Sequence, residues 1–476
     1  MTTTLKTLGT GLLAGVLAGC AVGPNYQRPA VSTPPAYKEA GLGDWKESTP
    51  GDQIAKGDWW KIFGDAKLDE LEVQATANNQ TLKAAVARVT EARATARVAR
   101  AEFFPNAELN PSADRNRVSP NIPNPLPKNN FNDFRVPLDF SYELDIWGRV
   151  RRSFEAANAE AKASVASYET VLLTLKADVA QNYFALRAID SQRVILRNTI
   201  ELRKEALALV KARYKGGAAS ELDVSQAETE LADSESEYIG LGKERSELEN
   251  AIAVLVGMNA AEFSLAESPL DLTPPVIPAG LPSELLERRP DVAEAERLLS
   301  SQNARIGIAK AAFFPVVRLT GAAGFESADI SSLFNWQSRA WSLGPSISLP
   351  IFEGGRNRAN LEHSKAAYEE SVAQYRQRVL VAFGEVENGL SGLRILAEQD
   401  AAQARSVASA TRTAEISNKR YQAGLVNYLE VVDSDRTRLR TSRGAAELLG
   451  RRMVASVQLV KALGGGWADS NLRAAR

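Results

Sequence analysis

One ordered pattern is written twice in this chain, and a duplication of that length restricts the fold before any single residue is weighed. Ala101-Glu102-Phe103-Phe104-Pro105 returns as Ala311-Ala312-Phe313-Phe314-Pro315, with Phe313 following Phe103 by 210 positions. Arg213-Tyr214-Lys215-Gly216-Gly217 returns as Arg420-Tyr421-Gln422-Ala423-Gly424, with Tyr421 following Tyr214 by 207. Between them Trp147-Gly148-Arg149 aligns with Gly354-Gly355-Arg356, and Asn79-Gln80 aligns with Arg289-Pro290. Landmarks that keep their order and spacing mean that each half builds the same series of elements. Such a chain reads as a pseudo-symmetric structural assembly and not as one active site in one cleft.

Composition narrows the chemistry. The 57 Lys and Arg nearly balance the 58 Asp and Glu, so no global field draws the chain to nucleic acid. One cysteine, Cys20, rules out an internal disulfide, and one histidine, His363, leaves no set for a Cys/His metal site. A Ser-His-Asp triad would have to run through His363. That residue sits in Asn360-Leu361-Glu362-His363-Ser364, a polar helical stretch without a glycine elbow, and reads as a surface or inter-helix residue. No cofactor is expected, and no enzyme.

The N-terminus reads as an address. Met1 to Gly19 carries Lys6, the apolar run Leu12-Leu13-Ala14-Gly15-Val16-Leu17, and then Ala18-Gly19 before Cys20. The run is too short to span a bilayer and ends in small residues, as a secretory signal does. After Gly23-Pro24-Asn25-Tyr26-Gln27-Arg28-Pro29 the Pro/Gly-rich stretch to about Gly57 reads as an extended tether.

From Arg149 to Tyr214 there is neither proline nor glycine, and from Arg356 to Gln422 there is no proline. Each stretch predicts a helix of about 100 Å at 1.5 Å per residue. Val165, Tyr168, Leu172, Leu175 and Val179 follow the 3-4 heptad step, and Tyr183 and Leu186 follow after a stutter. Each long helix should end at a glycine turn, Gly216-Gly217 or Gly424. A return helix should then start on a capping box, Ser220 with Asp223 or Asn427 with Glu430, and run to about Val256 or Leu463. Two further helices, Leu68–Phe104 and Ser283–Phe314, are expected before the Phe-Phe-Pro landmarks, broken at Asn79-Gln80 and Arg289-Pro290.

Between the helices the period changes to two. Val136, Leu138, Phe140, Tyr142, Leu144 and Ile146 alternate with Asp139, Ser141, Glu143 and Asp145. Trp341, Leu343, Pro345, Ile347, Leu349 and Ile351 alternate with Ser342, Ser346 and Ser348. The partner strands run through Ala107, Leu109, Pro111 and Ala113, and through Val317, Leu319, Gly321, Ala323 and Phe325, with Ser119–Asn130 as an exposed loop. About ten residues with one greasy face suffice to cross a bilayer as a tilted strand. Four strands cannot close a barrel, and an open edge in lipid leaves backbone groups unpaired. Three copies give twelve strands and room for a wet lumen, which suits an acidic, serine-rich inner face.

Taken together these residues resemble the TolC-type outer-membrane factors, in the NodT-like or OprM-like lipoprotein branch. The resemblance rests on Leu17-Ala18-Gly19-Cys20 with Gly23-Pro24-Asn25-Tyr26, the repeated Phe-Phe-Pro, Tyr142–Arg149, and the paired turns Tyr214/Gly217 and Tyr421/Gly424. It implies cleavage before Cys20, with covalent lipid on that residue and sorting to the outer membrane. Two or more acyl chains anchor stably, since each buried methylene contributes roughly 0.8 kcal/mol. It also implies a mainly α fold with a membrane β-barrel: a long α-helical barrel plus four β-strands per chain, closing a 12-stranded barrel as a homotrimer.

Partners implied are a periplasmic adaptor (membrane fusion protein), an inner-membrane pump of the resistance-nodulation-division type and outer-membrane lipid. The helix tips Tyr214–Leu222 and Tyr421–Leu429 are expected farthest from the membrane, where a tunnel seals and an adaptor docks. On this pattern Leu429, Asp433 and Arg436 match the family's periplasmic entrance, as an apolar ring, an acidic ring and a tip cation. The alternative for Asp433 and Arg436 is an i,i+3 surface pair, and for Asp223 and Glu430 caps alone. Val426 stands where TolC itself has a latch arginine.

The expected ranges are 1–19 signal peptide, 20–57 lipidated tether, 58–268 first repeat with strands at about 106–147, 269–282 linker, 283–465 second repeat with strands at about 316–351, and 466–476 tail. The function expected is a passive efflux duct for small molecules. Its rivals are the outer-membrane component of a type I protein secretion system and a structural periplasmic coiled-coil lipoprotein.

Overall fold

The computed structural model describes residues 21–31, 37–38, 58–121, 123, 129–277 and 289–465. The leader, Cys20, most of the 20–57 segment, residues 278–288 and the 466–476 tail lie outside the described residues. In chain order the elements are α1 (Ala66–Asn78), α2 (Gln80–Ala101), β1 (Asn106–Leu109), β2 (Ser112–Arg117), β3 (Asn130–Glu143), α3 (Arg149–Lys215), α4 (Glu221–Leu255), α5 (Pro290–Ala311), β4 (Val316–Ser327), β5 (Arg339–Ser348), α6 (Arg356–Gln422) and α7 (Tyr428–Ala462). The two proline-free stretches are single helices of 67 residues each, and the two return helices have 35 each. The described residues form two compact units, one within Met1–Ala30, Arg88–Ser164 and Glu294–Tyr375, the other within Val31–Ala87, Val165–Ala293 and Arg376–Arg476.

The first unit is organised by one antiparallel sheet in the order β1-β3-β4-β5, with β2 also on β3. The sequence predicts four strands; the first of them is broken in two. Pro111 has no amide hydrogen to give to the ladder, yet β1 and β2 keep one register on β3, with Leu109 opposite Leu138 and Ser112 opposite Arg135. β3 starts six residues before the expected Val136 and stops at Glu143, so Leu144 and Ile146 fall outside it. The early exit has a local cause. The Asp145 carboxylate accepts from the Val150 and Arg151 amides at 2.9 and 3.0 Å, capping α3 and drawing the chain out of the sheet. Trp147 then stacks on Phe314 at 4.6 Å and donates Nε1 to the Pro315 carbonyl at 2.9 Å. The Trp-Gly-Arg and Phe-Phe-Pro landmarks thus form one joint between the repeats.

The Gly-Pro-Asn-Tyr segment is seated in the same unit. Asn303 donates to the Pro24 carbonyl at 3.0 Å, Arg152 donates to the Asn25 side chain at 2.8 Å, and Arg28 pairs with Glu296 at 2.8 Å. Gly23, at φ +104, lies so close to Gly307 that an added Cβ would stand 2.6 Å from the Gly307 Cα. Only glycine fits there.

The second unit is helical. Leu175, Val179, Tyr183 and Leu186 of α3 are buried, as the heptad reading predicts, whereas Val165, Tyr168 and Leu172 are half-buried. Leu196 is buried farther along, and Phe184 packs on Phe63 at 4.8 Å. Each such large side chain contributes about 2–3 kcal/mol through burial. Asn79 breaks α1 from α2 at the expected place. Its carbonyl oxygen caps Leu82 at 2.9 Å while its amide reaches the Leu255 carbonyl at 2.9 Å. Among the described residues no helix is long and apolar enough to cross a membrane.

Candidate functional site

Two regions carry the functional reading, one in each unit. In the first unit, strand register sorts side chains by face. Leu109 lies opposite Leu138, Leu138 opposite Ala323 and Ala323 opposite Trp341. Glu108 lies opposite Asp139, Asp139 opposite Ala322 and Ala322 opposite Ser342. One face is therefore apolar through the middle of the sheet, with Arg115, Arg117 and Arg339 at one end of it, and the other is polar. Among the described residues nothing covers Trp341, Leu343 and Ile347 on the apolar face, which are 79%, 71% and 70% exposed. An uncovered patch of this breadth marks a surface meant for lipid or another chain.

In the second unit, the two helix turns are near copies. Gly217 and Gly424 both adopt φ +73. Their amides reach Tyr214 and Tyr421 carbonyls at 3.0 and 2.9 Å, and the next amides, Ala218 and Leu425, reach Arg213 and Arg420 carbonyls at 2.8 and 2.9 Å. This is the Schellman closure that a left-handed glycine permits. Ser220 and Asp223 then complete a reciprocal capping box. The second box expected from sequence is only half formed. Asn427 caps the Glu430 amide at 3.2 Å, but the Glu430 carboxylate accepts from Arg420 at 3.2 Å instead of turning back. The nearby guanidinium outbids a neutral backbone amide for the carboxylate. Ser220→Ala is expected to cost about 1 kcal/mol locally, read as roughly fivefold faster amide exchange over the first turn of α4.

The hairpin turns pack on each other through Val210, Ala227, Tyr421, Tyr428, Val431 and Val432, with Val426 half-buried against them. Burial pushes the Tyr428 phenol up to about 12. Arg213 lies over the Tyr421 ring at 4.4 Å and donates to the Tyr421 and Gln422 carbonyls at 3.1 Å each, satisfying the exposed end of α6. Tyr214, its repeat counterpart, is exposed.

Leu429, Asp433 and Arg436 share one exposed stripe of α7, spaced 4 and 3 residues apart, while Tyr428, Val431 and Val432 turn inward. The surface pair considered for Asp433 and Arg436 does not form. Arg436 instead donates Nε to Glu230 of α4 at 2.6 Å, a bond that raises its guanidinium above the ordinary value. Asp433 makes no ion pair among the described residues. His363 is exposed on α6.

The outer membrane efflux protein family model matches the chain over residues 71–258 and again over 281–465. The chain belongs to that family. It is 33% identical over 463 residues to the cation efflux system protein CusC of Escherichia coli O6:H1, covering 96% of this chain and 97% of the relative. It is 33% identical over 460 residues to the solvent efflux pump outer membrane protein SrpC of Pseudomonas putida, covering 96% and 97%. The solved Campylobacter jejuni CmeC outer membrane channel superposes with a TM-score of 0.90 at 27% identity, over 96% of this chain and 98% of that one. The protein is thus an outer-membrane efflux channel chain with the family's long helices and antiparallel strands, from a family of channels and not of enzymes.

Sequence reasoning missed the polar cluster behind the tips of this efflux channel chain. Buried Arg203 on α3 pairs with buried Glu230 at 2.8 Å, contacts Asp435 of α7 at 3.4 Å and reaches the Ser234 hydroxyl at 2.5 Å. Glu230 therefore lies between Arg203 and Arg436, and Asp435 also holds Arg438 at 2.6 Å. One signal was available: Leu196, Ile200, Arg203, Leu207 and Val210 keep the 4-3-4-3 seam step, which puts a cation in an apolar position.

Proposed function

We propose that three copies of this chain close a single twelve-stranded wall, and that the resulting duct passes small molecules outward without doing chemistry on them. The observation that carries this is a four-position sheet with an uncovered apolar face and outer strands that have no partner among the described residues. In lipid, each unpaired backbone group at such an edge costs several kcal/mol.

The duplication supplies the missing joint. Leu138 of β3 faces Leu109 of β1, and 207 and 210 residues on, Pro345 of β5 faces Leu319 of β4. The repeats thus superimpose strand on strand. The β3–β4 joint places Leu138 opposite Ala323 and Tyr142 opposite Leu319. Carried by the same two offsets, it places Pro345 opposite Ala113 of the partner subunit, and Leu349 opposite Leu109 of the partner subunit. Phe314 is stacked by Trp147 within the chain, but its repeat counterpart Phe104 remains exposed, as a joint awaiting a second copy would be.

In this reading the exposed stripe of Leu429, Asp433 and Arg436 gathers around the three-fold axis as the gate. Three converging aspartates repel unless hydrated or cation-bound. The turns at Tyr214/Gly217 and Tyr421/Gly424 offer the docking surface for a periplasmic adaptor, and an inner-membrane pump supplies the energy. Lipid on Cys20 anchors the N-terminus. Relatives equally similar to this chain are named for cation and for solvent efflux, which supports a reading in which the pump and not the duct selects the cargo. The test is particle mass in mild detergent followed by planar-bilayer recording. Three copies per particle and ion-conducting pores are expected, with Asp433→Ala changing the conductance. Single copies without pores would refute the duct.

A further inference from the structure

The arginines of the sheet divide by face. Arg135 and Arg318 share the polar face with every acidic residue of the strands: Glu108, Asp114, Asp133, Asp139, Glu143 and Glu326. Both are paired there, Arg135 with Asp133 at 2.7 Å and Glu326 at 3.1 Å, and Arg318 with Glu143 at 3.6 Å. Arg115, Arg117 and Arg339 occupy the other face, in line with Ala113, Leu343 and Trp341. That face holds no carboxylate in any strand. Among the described residues none of these three arginines makes an ion pair, and all three are exposed. Arg339 lies over the exposed Trp336 ring and donates to its carbonyl at 2.6 Å.

The three cations also share one end of the sheet. Arg115 and Arg117 lie opposite Asn132 and Asn130, beside the loop that joins β2 to β3, and Arg339 opens β5 after the β4–β5 loop. Along the outward face the chain therefore passes from leucine, isoleucine and valine to asparagine, tryptophan and arginine. The proposed strand joint brings Trp341 opposite Arg117 of the partner subunit, so each seam collects arginines from two chains.

We propose that Arg115, Arg117 and Arg339, with Trp336 and Trp341, form a belt that binds the anionic phosphates of lipid headgroups at the loop end of the barrel. This rests on the reading that the apolar face lies in lipid. Guanidinium groups grip phosphate with two parallel hydrogen bonds, and indole rings sit at the headgroup level of membrane proteins. A cation on a lipid-facing surface without a carboxylate needs an anion from outside the chain. The polar face, by contrast, neutralises its own arginines.

The test uses the full-length protein purified in mild detergent, after its copy number and conductance have been recorded. Native mass spectrometry would follow retention of phosphatidylglycerol against phosphatidylcholine in wild type, in Arg115→Gln/Arg117→Gln/Arg339→Gln, and in Arg135→Gln as the polar-face control. The triple variant is expected to lose at least about tenfold in phosphatidylglycerol retention, with Arg135→Gln unchanged and the lysine triple variant largely restored. Inorganic phosphate in excess should not displace the lipid. Equal retention by the glutamine and wild-type proteins would overturn the belt, as would displacement by phosphate alone. Either result leaves the oligomer and its pores standing, whereas a wild type that is single-copy and silent fails the duct itself.

Discussion

Arg203→Met is expected to loosen the helix tips by about 3–5 kcal/mol, the range for removing one partner of a buried ion pair. Arg203 donates to Glu230 and Ser234 and reaches Asp435, so its loss removes the buried cation of the cluster and leaves Glu230 to Arg436 and Asp435 to Arg438, both more exposed. The other cation on Glu230, Arg436, comes from the exposed stripe. Amide exchange near Arg203, Glu230 and Asp435 should accelerate by two or more orders of magnitude. Arg203→Met/Glu230→Met should recover most of the protection, because an apolar pair of similar volume removes both the charge and its desolvation cost. Equal exchange in wild type and Arg203→Met would show that the cluster holds nothing together. Under the proposed function the loosened variant should also open more readily, raising conductance together with exchange.

The second large effect concerns pH. Glu72 of α1 is wholly buried, and neither of its carboxyl oxygens finds a hydrogen-bond partner. Burial raises its carboxyl from 4.5 to about 9, with Lys176 opposing and Asp69 adding to the shift. An acid raised in the folded state stabilises fully only below its unfolded value. That stability is lost as pH climbs toward about 9. The loss from pH 5 to pH 9 is on the order of 5 kcal/mol. Lys176, lying over the Trp60 ring at 4.3 Å, is shifted down by burial, so its own contribution runs the opposite way, gaining as pH rises toward 10.5. Glu72→Gln should remove the decline across pH 5–9, and the variant should be more stable than wild type at pH 8. Parallel pH profiles of thermal unfolding for the two proteins would contradict this.

Much of the fold was legible because it is built from long, uninterrupted patterns. The limits of α3 follow from where proline and glycine stop and resume around Arg149–Lys215, and those of α6 from the proline-free run between the glycine turns that flank Arg356–Gln422. The strands announced themselves by alternation, but only where alternation is clean. Asn130 to Asp133 are mostly polar, so the first turns of β3 were hidden, and its end at Glu143 is set by the Asp145 cap, a contact no periodicity records. At the tips, sequence located both turns and the residues on the α7 stripe. It could not say that Glu430 answers Arg420, or that Arg436 answers Glu230, because those choices depend on side chains brought together across 10 and 206 positions. Glu72 was overlooked for the opposite reason. It looks like an ordinary helical glutamate, although Leu68, Leu71 and Ala75 around it mark the buried stripe it falls on.

The shared seam between copies is the central claim, and one disulfide pair tests it most directly. Ala113→Cys combined with Pro345→Cys should cross-link under mild oxidation, since directly paired residues hold their Cβ atoms about 4.5–5.5 Å apart. Within one chain these positions stand three strands apart and out of line along the strands, at least about 14 Å, which is beyond disulfide reach. Covalent species should build to three copies and stop. Ala113→Cys with Trp341→Cys, four residues out of register, should stay single. A ladder that continues past three, an equal yield from the offset pair, or no covalent oligomer at all would contradict the account.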